Sequence, residues 1–138
     1  MPVTAIAHLC ITSTDLKRTS DFYCGVLGLQ KKFAFKNGQD KEIGYYLTVG
    51  PNNFIEVFAR GKDQPAPRAV DHICLQVDKI DAIAESCRAR GVAITPKTMG
   101  CDGSWQAWLE DPDGVRIELH EYTDKSCQLT GRDCMVNW

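Results

Sequence analysis

Two histidines and two glutamates recur at matched places in the two halves of the chain. His8 stands in Ala5-Ile6-Ala7-His8-Leu9-Cys10-Ile11, and His72 stands 64 positions later in Ala69-Val70-Asp71-His72-Ile73-Cys74-Leu75. Glu56 stands in Phe54-Ile55-Glu56-Val57-Phe58, and Glu118 stands 62 positions later in Arg116-Ile117-Glu118-Leu119-His120. A carboxylate set among branched apolar residues is costly unless it is hydrogen-bonded, paired or bound to a metal. One His or Glu in such a place is ordinarily a solvated side chain, but four in duplicated register point to a shared purpose. Two imidazole nitrogens and two carboxylate oxygens suit one divalent ion that keeps open positions for water or substrate. His8, Glu56, His72 and Glu118 are therefore the expected metal ligands.

The elements that must position these residues also come in two copies. Both histidine runs alternate apolar residues in the manner of strands, and side chains on a strand point alternately to its two faces. Parity places Ile6, His8, Cys10 and Thr12 on one face, and Val70, His72, Cys74 and Gln76 on the equivalent face. Glu56 lies opposite Ile55 and Val57, and Glu118 opposite Ile117 and Leu119, so all four polar groups turn away from the aliphatic layer. A helix follows each histidine strand. The first opens at Thr14-Asp15, carries Leu16, Thr19, Tyr23 and Val26-Leu27 on one stripe, and stops at Gly28. The second opens at Asp78, with Asp81 three residues on, and carries Ile80, Ile83, Ala84 and Cys87 up to Gly91. Further strands are expected at roughly 31–35 and 43–49, around Asn37-Gly38, and at 93–98 and 105–110. Asp111-Pro112-Asp113-Gly114 then turns into the last strand. The order βαβββ, written twice, is an α+β fold. Module one covers about 3–59, a proline-bearing linker 60–68, module two about 69–122 and a tail 123–138. Each module alone is too small for a comfortable core, so 1–138 is expected to be a single domain.

Composition limits the partners. The 138 residues include 16 Lys and Arg against 18 Asp and Glu, for a net charge of −2, with 43% hydrophobic and 25% charged residues. No like-charged run offers a footprint for nucleic acid or an anionic membrane, and no apolar stretch reaches the roughly 18 residues of a spanning helix. Met1-Pro2-Val3-Thr4 lacks the basic flank and apolar run of a signal peptide, and the expected location is cytoplasmic. The seven cysteines are odd in number and contain no Cys-x-x-Cys, which suits reduced thiols better than a disulfide framework. Cys10 and Cys74, each two residues past a histidine on the same face, are expected to line the site.

Over residues 3–122 the chain resembles the glyoxalase/bleomycin resistance/extradiol dioxygenase superfamily, the vicinal oxygen chelate proteins. The resemblance rests on His8, Thr14-Asp15-Leu16, Asp21-Phe22-Tyr23-Cys24-Gly25-Val26-Leu27-Gly28-Leu29, Phe54-Ile55-Glu56, Asp71-His72-Ile73, and the run from Glu110 through Asp111-Pro112-Asp113-Gly114 to Glu118. It implies paired βαβββ modules whose mixed sheets curl around a metal cavity, in which adjacent substrate oxygens bind the ion. The His, Glu, His, Glu order is similar to that of glyoxalase I, lactoylglutathione lyase. That similarity implies one divalent ion per site, of nickel, cobalt, zinc or manganese. The substrate would be a hemithioacetal or related α-hydroxycarbonyl passing through an enediolate, with Glu118 as base and Glu56 serving the opposite face. It also implies a homodimer.

The glutathione-using bacterial enzymes carry an Arg four residues after the first His and an Asn four after the first Glu. Here those positions hold Thr12 and Arg60, so the thiol partner stays open. Arg60 could clasp a carboxylate or phosphate, Phe54 and Phe58 could wall an apolar substrate site, and Gln106 and Trp108 could face the cavity. His120, on Glu118's face, is a candidate acid-base group or support for the ligands. A superfamily epimerase and a non-catalytic, ligand-sequestering protein of the bleomycin-resistance type are the alternatives.

Overall fold

The computed structural model describes residues 2–26, 29–64, 70–110 and 116–138. In chain order, module one contains β1 (Val3–Ser13), α1 (Leu16–Ser20) continued by a π-helical stretch (Asp21–Val26), β2 (Gln30–Lys36), β3 (Glu42–Gly50) and β4 (Asn53–Ala59). Module two contains β5 (His72–Val77), α2 (Ile80–Ala89), β6 (Thr98–Met99), β7 (Trp105–Glu110) and β8 (Arg116–Glu121). The tail adds α3 (Cys127–Thr130) and β9 (Cys134–Met135). Leu27 and the expected helix stop at Gly28, the side chain of Val26, linker residues 65–68, and the turn Asp111-Pro112-Asp113-Gly114 lie outside the described residues. No helix among the described residues is long and apolar enough to cross a membrane.

The strands form one mixed sheet in the order β6-β7-β8-β5-β1-β4-β3-β2-β9. Each module contributes the same arrangement, with its first strand parallel to its last: β1 with β4 and β5 with β8. The modules join where β1 and β5 run antiparallel, with His8 opposite Cys74, Leu9 opposite Ile73 and Cys10 opposite His72. A pseudo-twofold axis through the Leu9 and Ile73 pair therefore exchanges the two histidines. The sheet curls until its ends approach, for Cys101, just beyond β6, touches Cys134 on β9.

Each helix covers the aliphatic face of its own module. Tyr45, Leu47 and Val57 pack with Ile11, Leu16, Tyr23 and Ile55 under the first helix, while Val77, Ile80, Ala107 and Leu119 form the cluster around the second. Leu47 is fully buried, so its truncation to Ala should cost about 2–5 kcal/mol. This layering leaves Glu56 and Glu118 on the opposite, concave face. A third cluster, Phe33, Phe35, Tyr46 and Phe54 with Cys127, Cys134 and Val136, shows where the tail goes: it packs against module one of its own chain.

The asparagine turn forms as expected: Asn37 Oδ1 accepts from the backbone N–H groups of Gln39 and Lys41, each at 3.0 Å. Asp15 caps α1 by accepting from Arg18 N–H at 3.0 Å. Three local expectations change. The strand expected at 93–98 shrinks to Thr98–Met99 plus an isolated bridge between Ile94 and Leu109, because Pro96 has no N–H to give the ladder. Asp78 does not cap α2; Lys79 holds that position without a side-chain bond, and Glu121 Oε2 reaches across to accept from Ile80 N–H at 2.9 Å. A register shift between Ile6 and His8 also takes Ile6 off the histidine face. Ile6 is 52% exposed while His8 is 1% exposed, since a bulge breaks strict alternation.

Candidate metal centre

The curled sheet brings His8, Glu56, His72 and Glu118 together within one chain. His8 Nε2 lies 2.9 Å from His72 Nε2, 3.3 Å from Glu118 Oε2 and 3.6 Å from Glu56 Oε1. His72 Nε2 lies 3.1 Å from the same Glu118 oxygen. Ligands on neighbouring positions of one ion, each roughly 2.1 Å from it, are themselves about 3 Å apart, a spacing that His8, His72 and Glu118 match and that Glu56 approaches from beside His8. All four are buried.

Strand register explains the convergence. Cys10 pairs with Glu56 on one side and His72 on the other; Cys74 pairs with Glu118 on one side and His8 on the other. Two cross-strand rows, Glu56-Cys10-His72 and Glu118-Cys74-His8, thus lie side by side about the pseudo-twofold axis. Each carries a carboxylate from one module and an imidazole from the other. Both cysteines are buried within these rows. Burial pushes the Cys10 thiol well above its ordinary range, with Glu56 adding to the effect, so it stays protonated.

The outer nitrogens of both imidazoles are held. His8 Nδ1 shares a 2.6 Å hydrogen bond with the hydroxyl of Tyr46, which is itself fully buried. Tyr46 Oη in turn accepts from Gln128 Nε2 at 3.4 Å, and Gln128 also donates to Asp102 Oδ2 at 2.6 Å. On the other side Asp71 Oδ2 lies 2.9 Å from His72 Nδ1 and accepts from Arg116 Nη1 at 3.0 Å. Bonds at Nδ1 leave Nε2 of each ring to face the centre and fix the ring plane, which is what metal-binding histidines require. His120 is buried, with Nε2 3.1 Å from Glu118 Oε1.

Electrostatics follow from this crowding. Burial opposes charging of His8, but Glu56 leads the attractions that raise it to about 10. Burial likewise works against ionisation of Glu118, yet the charge of His120 and hydrogen bonds from His120, His72 and His8 hold its carboxyl well below the usual range. His120 is raised well above its ordinary value against the cost of burial, by Cys74 and Glu118.

Cys10, Glu56, His72 and Glu118 open onto a cavity of about 510 Å³. Phe35, Phe58, Trp108 and Trp138 supply aromatic lining, and Met135, Val136 and Asn137 of the tail close one side. Gly44 makes room for Phe58: a Cβ there would run into the Val57 carbonyl and come within 2.7 Å of the Phe58 ring. Of the residues expected to meet substrate, Phe58 and Trp108 line this cavity, as does Gln106. Phe54 is instead in the core, with its ring 5.3 Å from that of Tyr46. Thr12 sits across from Phe58 in the register of β1 and β4 and is not among the lining residues. Arg60 donates to the Gln64 carbonyl at 3.2 Å, outside that lining.

Tyr46, Asp71, Asp102 and Gln128 are site residues that the duplicated motifs do not reveal directly. A signal existed for Tyr46, because the same 62-residue offset that relates the two glutamates relates Tyr46 to Trp108. Asp71 adjoins His72 in sequence. Gln128 and Asp102 act through the tail, which has no counterpart in module one.

The family model of the Glyoxalase/Bleomycin resistance protein/Dioxygenase superfamily matches residues 5–119. A lactoylglutathione lyase of Escherichia coli O157:H7 is 32% identical over 126 residues, spanning 86% of this chain and 93% of that protein. The lactoylglutathione lyase of Haemophilus influenzae is 30% identical over 129 residues, spanning 84% and 91%. Among solved structures, methylmalonyl-CoA epimerase from Mycobacterium tuberculosis shares the fold with a TM-score of 0.74 at 24% identity, covering 90% of this chain and 91% of that one. The chain belongs to the glyoxalase/bleomycin resistance protein/dioxygenase superfamily.

Proposed function

We propose that the chain is a divalent-metal-dependent lyase or isomerase of the glyoxalase I type, acting on a hemithioacetal or related α-hydroxycarbonyl. The observation that carries this reading is the meeting of His8, Glu56, His72 and Glu118 at the wall of one aromatic-lined cavity, onto which Glu56, His72 and Glu118 open. Those four residues would hold the ion, which when bound supplies Lewis acidity to two adjacent substrate oxygens and so acidifies the C–H bond beside them. Glu118 takes the proton from that carbon and returns it to the neighbouring carbon. His120, bonded to the outer oxygen of Glu118, tunes that carboxylate and keeps it aimed. Glu56 serves the other face. Phe58, Trp108 and Trp138 exclude water and hold the apolar part of the substrate.

The lining contains no Lys or Arg among the described residues. Among those residues the groups able to carry positive charge are the imidazoles of His72 and His120, and we propose a neutral or small thiol adduct ahead of glutathione. Two carboxylates on one cavity would also serve a two-base epimerase. We further propose that the protein works as a homodimer, on the exposed apolar residues Val3, Ile6 and Leu9 of β1, and within the cytoplasm.

A panel of methylglyoxal hemithioacetals made from glutathione and from smaller neutral thiols, with hydroxyacyl substrates alongside, tests the reaction on nickel- and zinc-loaded protein. Turnover with a neutral thiol adduct and its loss in Glu118→Gln support the proposal. Ligand binding without turnover across the panel would favour sequestration, and racemisation of an acyl substrate alone would favour the epimerase.

A further inference from the structure

Three cysteines outside the metal centre meet where the two ends of the sheet come together. Cys134 Sγ, on β9, lies 3.0 Å from Cys101 Sγ, in the turn that follows β6. Cys127, at the start of α3, lies in the same core cluster as Cys134. Cys101 is exposed and lines the mouth of the substrate cavity, whereas Cys127 and Cys134 are buried. The segments carrying the thiols are fixed by other bonds. Cys127 N–H donates to the Asp102 carbonyl at 2.7 Å, Thr123 Oγ1 to the Gly103 carbonyl at 2.7 Å, and Gln128 Nε2 to Asp102 Oδ2 at 2.6 Å. A Cβ at Gly103, where φ is +79°, would lie 2.7 Å from the Lys125 carbonyl, so the turn is pressed tightly on the tail.

We propose that Cys101 and Cys134 are a redox-active dithiol that reacts with low-molecular-weight disulfides and, once oxidised, pins the tail across the cavity mouth. The assignment of roles follows from exposure and contact. Cys101 is the thiol that solvent and cavity ligands reach. Cys134 sits against it at 3.0 Å, and Cys127 is part of the buried cluster that surrounds Cys134. Hydrogen bonding from Cys134 lowers the Cys101 thiol, while the same contacts raise Cys134, so Cys101 ionises first. The compact cluster that a structural zinc site needs is not formed: among the described residues the three sulfurs do not all lie within 4.8 Å of one another.

The chemistry is a thiol–disulfide exchange in two steps. Cys101 thiolate attacks one sulfur of an external disulfide RSSR, forming a Cys101–SR mixed disulfide and expelling RS⁻. Cys134 thiolate then attacks Cys101 Sγ, forming the Cys101–Cys134 bond and expelling the second RS⁻. The two cysteine sulfurs are oxidised, RSSR is reduced, and the two thiol protons end on two molecules of RSH. The new bond joins module two to the strand that extends module one. It thereby ties Met135–Trp138, which wall the cavity, to its opposite rim.

The test treats the reduced protein with bis(2-hydroxyethyl) disulfide, blocks remaining thiols by alkylation and maps peptides without reduction. The expected result is loss of two of the seven thiols, one Cys101–Cys134 cross-link reversed by dithiothreitol, and slower hydrogen exchange across residues 133–138. Cys134→Ser should halt at the mixed disulfide on Cys101, and Cys101→Ser should slow the reaction about tenfold or more. The proposal is overturned if the first cross-link in the wild-type protein joins other cysteines, or if a mixed disulfide persists on Cys101 with no cross-link. The wild-type map decides the matter even if a variant fails to fold.

Discussion

Tyr46 and Trp108 occupy equivalent places in the two modules: each pairs across its hairpin with a glutamate of the centre, Tyr46 with Glu56 and Trp108 with Glu118. Each also sets its ring edge-on to a histidine, Tyr46 at 5.4 Å from His8 and Trp108 at 4.9 Å from His72. The symmetry ends at the hydroxyl. Tyr46 bonds His8 Nδ1 itself, whereas Trp108 packs beneath Arg116, which delivers Asp71 to His72 Nδ1.

Tyr46→Phe keeps the ring and removes the 2.6 Å bond to His8 together with the longer bond from Gln128. Loss of such an outer partner weakens metal binding by roughly 10–100-fold. A chelator competition titration should show that fall, with far-ultraviolet circular dichroism unchanged.

Asp71→Asn retains an oxygen near His72 but loses the charge that favours the Nδ1–H tautomer and pairs with Arg116. Metal affinity should fall by about tenfold or more. Arg116→Ala should produce a smaller loss in the same titration, because Arg116 is half-exposed and solvent screens its pair with Asp71.

The metal-free protein should be sensitive at both pH extremes. His8 is raised from 6.5 to about 10, so its contribution to stability is complete below 6.5 and is lost as the pH rises toward 10. Glu118 is depressed; its contribution is present above the ordinary carboxylate range and is lost as the pH falls below it. Thermal unfolding of metal-free protein should therefore drop in midpoint from pH 6.5 to 10. Saturating metal should flatten that slope, since ion binding needs His8 deprotonated.

Gln128 joins Tyr46, Asp102 and Ser104 in a buried network. Gln128→Ala leaves those polar groups unsatisfied and should destabilise the chain by about 1–3 kcal/mol in urea unfolding. A change within experimental error would show that the tail is not a structural latch.

Much of this architecture was legible in the sequence because duplication writes each essential residue twice. The positions of His8, His72, Glu56 and Glu118, and the turning of the glutamates away from Val57 and Leu119, follow from the two offsets and from strand parity. Parity failed at Ile6, where a bulge intervenes, and the 93–98 strand failed at Pro96. The supports of the centre were harder to read. Tyr46 and Trp108 are different residue types, so their equivalence is hidden unless the offset is applied to every position. Gln128 and Cys134 depend on how the unduplicated tail crosses the curled sheet, a long-range contact that no local pattern encodes. Phe54 shares Glu56's parity, but its neighbours Phe33 and Tyr46 turn that position into core.

The most direct test of the central account is elemental analysis of purified protein after loading with nickel or zinc and removal of free metal, for the wild type and for His72→Ala and Glu118→Gln. About one tightly held divalent ion per chain is expected in the wild type, and none retained at that affinity in either variant. A wild-type protein that cannot hold an ion, or variants that hold it as tightly, would contradict it.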